Sequence, residues 1–148
     1  MLCAAHWGAK PVSDEHLQKT LDLLNERTAM LRRLFPWDDP NFGLDPYWIR
    51  AYPYRQSVLP GQRVALEARI YNHSDTPRNA VVELRAPDGW KIEKSGAKTI
   101  PAHSEGTISL AAIAPSQPAT RRHVLGLAVH FDQRNLGEFA EAIIDYLA

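Results

Sequence analysis

The chain has 148 residues and lacks several things that would narrow its function. It has a single cysteine, Cys3, so no internal disulfide can form, and this sparing use of cysteine reads as a reducing, cytoplasmic setting. It has no excess of either charge, 17 basic residues standing against 17 acidic ones. Nucleic acid and anionic membranes therefore have no electrostatic claim as partners. No run of about 18 apolar residues occurs, so no transmembrane helix is expected. The opening MLCAAHWGAK is broken by His6 and Lys10, and its apolar core falls short of the roughly 7–15 residues a signal peptide needs. Assembled catalytic motifs are also missing. The six histidines form neither H-x-H nor H-E-x-x-H, no serine sits in a G-x-S-x-G context, and no glycine-rich phosphate loop is present. The chain by itself is expected to be no enzyme and to hold no cofactor.

What is present falls into distinct segments. Residues 1–12 read as a frayed or loosely docked lead-in. Ser13 then supplies a helix N-cap, with Asp14 and Glu15 suited to the positive end of the dipole. Leu17, Leu21, Leu24, Thr28 and Leu31 follow at spacings of 4, 3, 4 and 3, and Leu34 and Phe35 extend the stripe to Pro36. That periodicity predicts one amphipathic helix over 13–35. Packing on a neighbouring surface is the favoured role, because Thr28 interrupts a coiled-coil seam.

Residues 36–54, PWDDPNFGLDPYWIRAYPY, combine four prolines with several aromatics and predict an ordered connector. Trp37, Phe42, Tyr47 and Trp48 are expected to pack against an adjacent surface. Asp38, Asp39, Asn41 and Asp45 could offer oxygen ligands to calcium, but their spacing matches no EF-hand loop and Pro40 and Pro46 favour turns.

The rest alternates. Val64, Leu66, Ala68 and Ile70 point one way, and Arg63, Glu67, Arg69 and Tyr71 the other; Ala80, Val82 and Leu84 repeat the pattern. Strands are predicted at 55–59, 63–72, 79–86, 90–94, 97–101, 107–114, 123–131 and 138–147, separated by turns such as Pro60-Gly61 and Pro87-Asp88-Gly89. Seven or eight strands in about 95 residues define a mainly β chain, an immunoglobulin-like antiparallel β-sandwich preceded by one α-helix. The expected division is 1–54 for lead-in, helix and connector, and 55–148 for the sandwich. His73 and His103 fall in turns and are expected to be solvated; His130 falls on the outward face.

Two resemblances add to this reading. VLPGQRVALEARIYNHSDTPRNAVVELRAPDGWKI resembles the sandwich modules associated with alpha-galactosidases, through Pro60, Gly61, Asn72, Pro87, Gly89 and Trp90. The resemblance implies a fold and says little of activity. CAAHWGAKPVSDEHLQKTLDLLNERTAMLRRLF resembles the C-terminal region of a metallo-beta-lactamase-fold hydrolase, through the order His6, Gly8, Pro11, Val12 and the helix from Ser13. In that family a histidine at this place closes the metal site, so the resemblance makes His6 the counterpart of a metal ligand. The family's H-x-H-x-D-H cluster is absent. Zinc or another divalent metal would therefore belong to the parent protein, since His6 alone cannot supply a tetrahedral site.

The function that follows is a non-catalytic accessory or interaction domain of a metallo-beta-lactamase-like hydrolase. Leu17, Leu21, Leu24, Leu31, Trp37 and Trp48 would form its interface, and its partner would be the parent's catalytic domain or a second copy of the chain. A carbohydrate-associated binding module is the runner-up, disfavoured because Tyr71 is the one strand aromatic clearly on an outward face. A generic protein-interaction domain that pairs through an edge strand is the third.

Overall fold

The computed structural model describes residues 2–4, 8–10, 12–34, 37 and 39–147, in two compact units, 1–44 and 45–148. In the first unit, β1 (Leu2–Ala4) and β2 (Gly8–Lys10) pair antiparallel, with Leu2 opposite Lys10. The described part of the expected loose lead-in is thus a pair of short strands, and three-residue strands are too brief for periodicity to reveal. Helix α1 (Asp14–Arg32) begins as expected, the Ser13 side chain accepting from the His16 N–H at 3.2 Å. It ends three residues earlier than the stripe suggested, and Leu34 N–H donates to the Leu31 carbonyl in a tightened last turn. One further turn, α2 (Asn41–Leu44), is introduced by Asp39, whose carboxylate accepts from Asn41 N–H at 2.9 Å.

The second unit is the sandwich. Its strands are β3 (Ile49–Tyr52), β4 (Arg55–Val58), β5 (Arg63–Asn72), β6 (Arg78–Arg85), β7 (Lys91–Lys94), β8 (Gly96–Ile100), β9 (Ser104–Ile113), β10 (Arg122–Phe131) and β11 (Arg134–Tyr146). A five-stranded sheet runs β4-β11-β10-β6-β8 and a four-stranded sheet runs β3-β5-β9-β7. Neighbours are antiparallel except β4 and β11, which run parallel. The expected immunoglobulin-like sandwich is therefore present, with one parallel edge pair that alternation within single strands cannot disclose.

The domain boundary needs correction. The sandwich begins at Asp45, and β3 lies inside the segment read as connector. Its four residues, Ile-Arg-Ala-Tyr, sit between Pro46 and Pro53 and carry only two inward positions. That is too little to stand out among aromatics and prolines.

The core follows the predicted faces. Val64, Leu66, Ala68 and Ile70 of β5 are buried, as are Ala80, Val82 and Leu84 of β6. Leu125, Leu127, Val129 and Phe131 of β10 are buried beside β6 on the inner face of the five-stranded sheet, and Ile108 and Leu110 of β9 beside β5 on that of the four-stranded sheet. Each buried branched or aromatic side chain stabilises the fold by about 1.5–3 kcal/mol relative to exposure. At the end of β5, Asn72 is fully buried and its amide nitrogen lies 2.8 Å from the Thr76 carbonyl and 3.1 Å from those of Ile100 and Pro101. Its Oδ1 accepts from Ser74 N–H at 3.0 Å. One side chain thus satisfies the backbone where β5 leaves for β6 and β8 leaves for β9.

A candidate interaction groove

The most distinctive surface feature of the sandwich is a groove of about 510 Å³ at its β3 edge. Its walls are mostly apolar: Ile49, Ala51, Tyr52, Tyr54 and Phe139 line it, with Arg50 and Glu141 at the rim. Two strands of different sheets meet here without pairing. Strand β3 pairs with β5 on one side and, among the described residues, with no strand on the other. Strand β11 pairs with β4 only from Ile143 onward, so among the described residues Asn135–Ala142 has no strand partner on its second side.

The direction of the open backbone groups follows from the ladder. Tyr71 N–H donates to the Trp48 carbonyl at 2.7 Å, and Arg50 then stands opposite Arg69 and Tyr52 opposite Glu67. In an antiparallel pair the bonded positions alternate, so the N–H and C=O groups of Ile49 and Ala51 point away from β5. The side chains of the same two residues are buried.

Phe139 reaches the groove through a β-bulge. Leu127 opposes Ala140 and Ala128 opposes Glu138, which leaves Phe139 as the extra residue of β11. A bulge re-aims its side chain. Phe139 meets Trp48 edge-on, with centroids 5.3 Å apart, while staying 41 % exposed. Tyr52 stacks beneath the Arg69 guanidinium, 3.7 Å from its ring centroid, and Glu67 holds that guanidinium through two hydrogen bonds of 2.9 and 3.0 Å. Arg50 is held at the rim by Glu105 and by the Tyr47 carbonyl. The aromatic rings are thus fixed by their neighbours before any partner arrives.

Near this edge lies a second polar arrangement. His73 Nε2 is 2.9 Å from Asp45 Oδ2, and Asp45 Oδ1 accepts from Tyr47 N–H at 2.9 Å. Burial would raise the Asp45 pKa, but the Tyr47 and His73 hydrogen bonds outweigh it and the net direction is down. The His73 ring lies tilted against that of Tyr71, centroids 4.6 Å apart, and its side chain is 17 % exposed. It is not the solvated turn residue expected, because Asp45 draws its ring onto the sheet. His103 is exposed yet lies 2.8 Å from Asp75, and His130 is exposed as expected.

The residues singled out from sequence are dispersed. His6 lies outside the described residues. Leu17, Leu21, Leu24 and Leu31 are all exposed on α1, a helix with no buried residue. Trp37 is half-buried, its ring 4.7 Å from that of Phe42. Trp48, expected at an interface, is instead a core residue, 1 % exposed and edge-on to Phe131 at 5.2 Å. The β3 edge that carries it was hidden in the connector. Tyr47 is exposed rather than packed. Asp39 and Asp45 cap turns, as their spacing favoured; Asp38 lies outside the described residues. Among the described residues no three His, Cys, Asp or Glu side chains gather as a metal site. No described helix is long and apolar enough to cross a membrane.

No protein-family model matches the chain, and no curated protein matches it. Solved structures with a similar fold include a chain of the CaDoc0917–CaCohA2 complex, 13 % identical over 67 % of this chain and 98 % of that one, with a TM-score of 0.48. WR4, a C. elegans MSP family member, is 12 % identical over 68 % and 97 %, with a TM-score of 0.39. A family 123 glycoside hydrolase from Clostridium perfringens is 9 % identical over 64 % of this chain and only 23 % of its own, with a TM-score of 0.48. At these values the likeness concerns sandwich architecture and carries no functional argument.

Proposed function

We propose that the chain is a non-catalytic interaction domain whose groove takes an extended segment of a partner protein. The observation that carries this is the open edge of β3 beside the fixed aromatic walls. Ile49 and Ala51 offer outward backbone groups for strand addition, and Phe139, Tyr54 and Tyr52 offer apolar surface for alternate side chains of the added strand. The reading needs no cofactor in this chain and makes it no enzyme.

The parent in this proposal is a metallo-beta-lactamase-like hydrolase, whose catalytic domain would hold the zinc or other divalent metal. The order His6, Gly8, Pro11, Val12 and α1 supports that placement, as does the exposed leucine row of α1, which suits the covered face of a larger protein. The location in this reading is cytoplasmic.

A carbohydrate ligand is the second reading, favoured by one observation: Tyr47, Tyr52, Tyr54 and Phe139 are exposed aromatics around a single groove. Selection of displayed random peptides on the full chain separates the two, with Ala51→Pro and Phe139→Ala as controls. Peptides with alternating apolar positions are expected, their binding lost in both variants. Proline removes the outward N–H at an edge position that tolerates it. Saturable binding of soluble polysaccharide, with no peptide enriched, would overturn the protein-partner reading.

A further inference from the structure

A second site lies on the outer face of the five-stranded sheet. Ile144 and Tyr146 point into the core, so Asp145 between them points out. The register sets Arg122 of β10 opposite Asp145, while Arg55 and Ser57 of β4 flank it on the other side. Arg122 Nε donates to Asp145 Oδ1 at 2.7 Å and Arg55 Nε to Oδ2 at 2.5 Å. Both carboxylate oxygens are therefore occupied, each by a single Nε–H. The Nη groups of the two guanidiniums make no hydrogen bond among the described residues. Arg121, adjacent and exposed, accepts from Tyr146 N–H through its carbonyl at 2.9 Å, and its guanidinium makes no hydrogen bond or ion pair among the described residues. These three arginines, with Ser57 and Leu147, line a pocket of about 410 Å³.

The charge balance selects the ligand. Three guanidiniums against one carboxylate leave two positive charges at the pocket. A carboxylate ligand would neutralise one of them. A phosphate monoester carries about −1.5 to −2 at neutral pH and offers three acceptor oxygens. Guanidinium forks match those oxygens in paired, charge-assisted hydrogen bonds. Asp145 acts here as a positioning residue: it fixes the Nε side of Arg55 and Arg122 and leaves their Nη edges to the pocket.

We propose that the Arg55–Arg121–Arg122 pocket binds the dianionic phosphate group of a small soluble phosphate ester. The test is a nuclear magnetic resonance titration of the full chain with inorganic phosphate and with phenyl phosphate at constant ionic strength. Acetate serves as the monoanion control. Vesicles of phosphatidylcholine containing a phosphoinositide serve as the lipid arm. Saturable shifts are expected at the Nε–H signals of Arg55 and Arg122 and at the amides of Arg121 and Leu147. Affinity is expected to fall about tenfold in Arg121→Ala, the loss of one charge-assisted contact. The Arg121 guanidinium has no partner among the described residues to lose, and the Tyr146 hydrogen bond to its carbonyl survives alanine, so this variant keeps the wild-type melting temperature, and Arg121→Lys restores part of the affinity. Equal binding of acetate and phosphate, shifts that do not saturate, or an unchanged affinity in Arg121→Ala would each overturn the proposal. Vesicle binding with no response to either soluble phosphate would overturn it in favour of a lipid headgroup.

Discussion

Trp48 and Phe139 meet edge-on at 5.3 Å, and the contact joins the sandwich core to the groove. Trp48 is enclosed, while Phe139 keeps part of one face in solvent. The two should therefore separate stability from binding. Trp48→Ala removes a fully packed aromatic and is expected to cost about 3–5 kcal/mol. Phe139→Ala forfeits an edge contact and partial burial, about 1 kcal/mol. Urea unfolding followed by circular dichroism measures both. Only Phe139→Ala should leave a folded protein that has lost its groove ligand, and equal destabilisation by the two would refute the division.

Asn72 makes a different kind of contribution, through hydrogen bonds rather than area. Its amide faces three carbonyls and its oxygen accepts from Ser74. Asn72→Ala leaves buried backbone groups unsatisfied and is expected to cost about 3 kcal/mol, each such group being worth roughly 1–3. Asn72→Asp replaces the donor with a carboxylate facing the same carbonyls, and is expected to be worse than alanine although it is closer in shape. Equilibrium denaturation of the two variants orders them; an aspartate variant more stable than the alanine one would contradict the hydrogen-bond account.

Asn72 also marks how far sequence reading reaches. Strand β5 was legible to the residue, Arg63 to Asn72, because ten alternating positions bury one face and leave the other wet. Helix α1 was legible from its cap and leucine spacing. Strand β3 was not, since its identity comes from pairing with β5 rather than from its own four residues. The groove was illegible for the same reason. Phe139 faces it because β11 carries one residue more than β10 at that point, and no single strand encodes such a mismatch. The arginine pocket depends on the parallel pairing of β4 with β11, which brings together residues some 90 positions apart.

Two buried glycines should respond unequally to alanine. A Cβ at Gly106 would stand 2.6 Å from Ile100 Cγ1 and 2.9 Å from its Cδ1. Ile100 is fully buried and branched at Cβ, so it cannot turn away cheaply. Gly106→Ala is expected to cost about 1–3 kcal/mol as overpacking. A Cβ at Gly126 would come still closer, 2.3 Å from Glu138 Oε2, but that atom is the far end of an exposed side chain. Glu138 can swing into solvent, and Gly126→Ala should stay within about 0.5 kcal/mol of wild type. Thermal unfolding decides it, and a larger loss at Gly126 than at Gly106 would show that distance alone governs the response.

The Arg55–Asp145–Arg122 bridge predicts how stability depends on pH. Hydrogen bonds from Arg122 and then Arg55 hold the Asp145 carboxyl below its ordinary value of 3.8 in the folded protein. Unfolded chains take up the proton first as pH falls, so the ionised carboxylate stabilises the fold fully above that value. Its contribution then declines as pH drops through the lower folded-state value. Asp145→Asn lacks this component. It should be less stable than wild type by a constant margin from about pH 7 to pH 5, and the margin should close on further acidification. Urea unfolding across that range measures the margin. The two guanidiniums are exposed to solvent although the carboxylate between them is largely covered, so added salt should narrow the margin as well. A margin that stays constant down to about pH 2 would mean that Asp145 stabilises through its shape and not its charge.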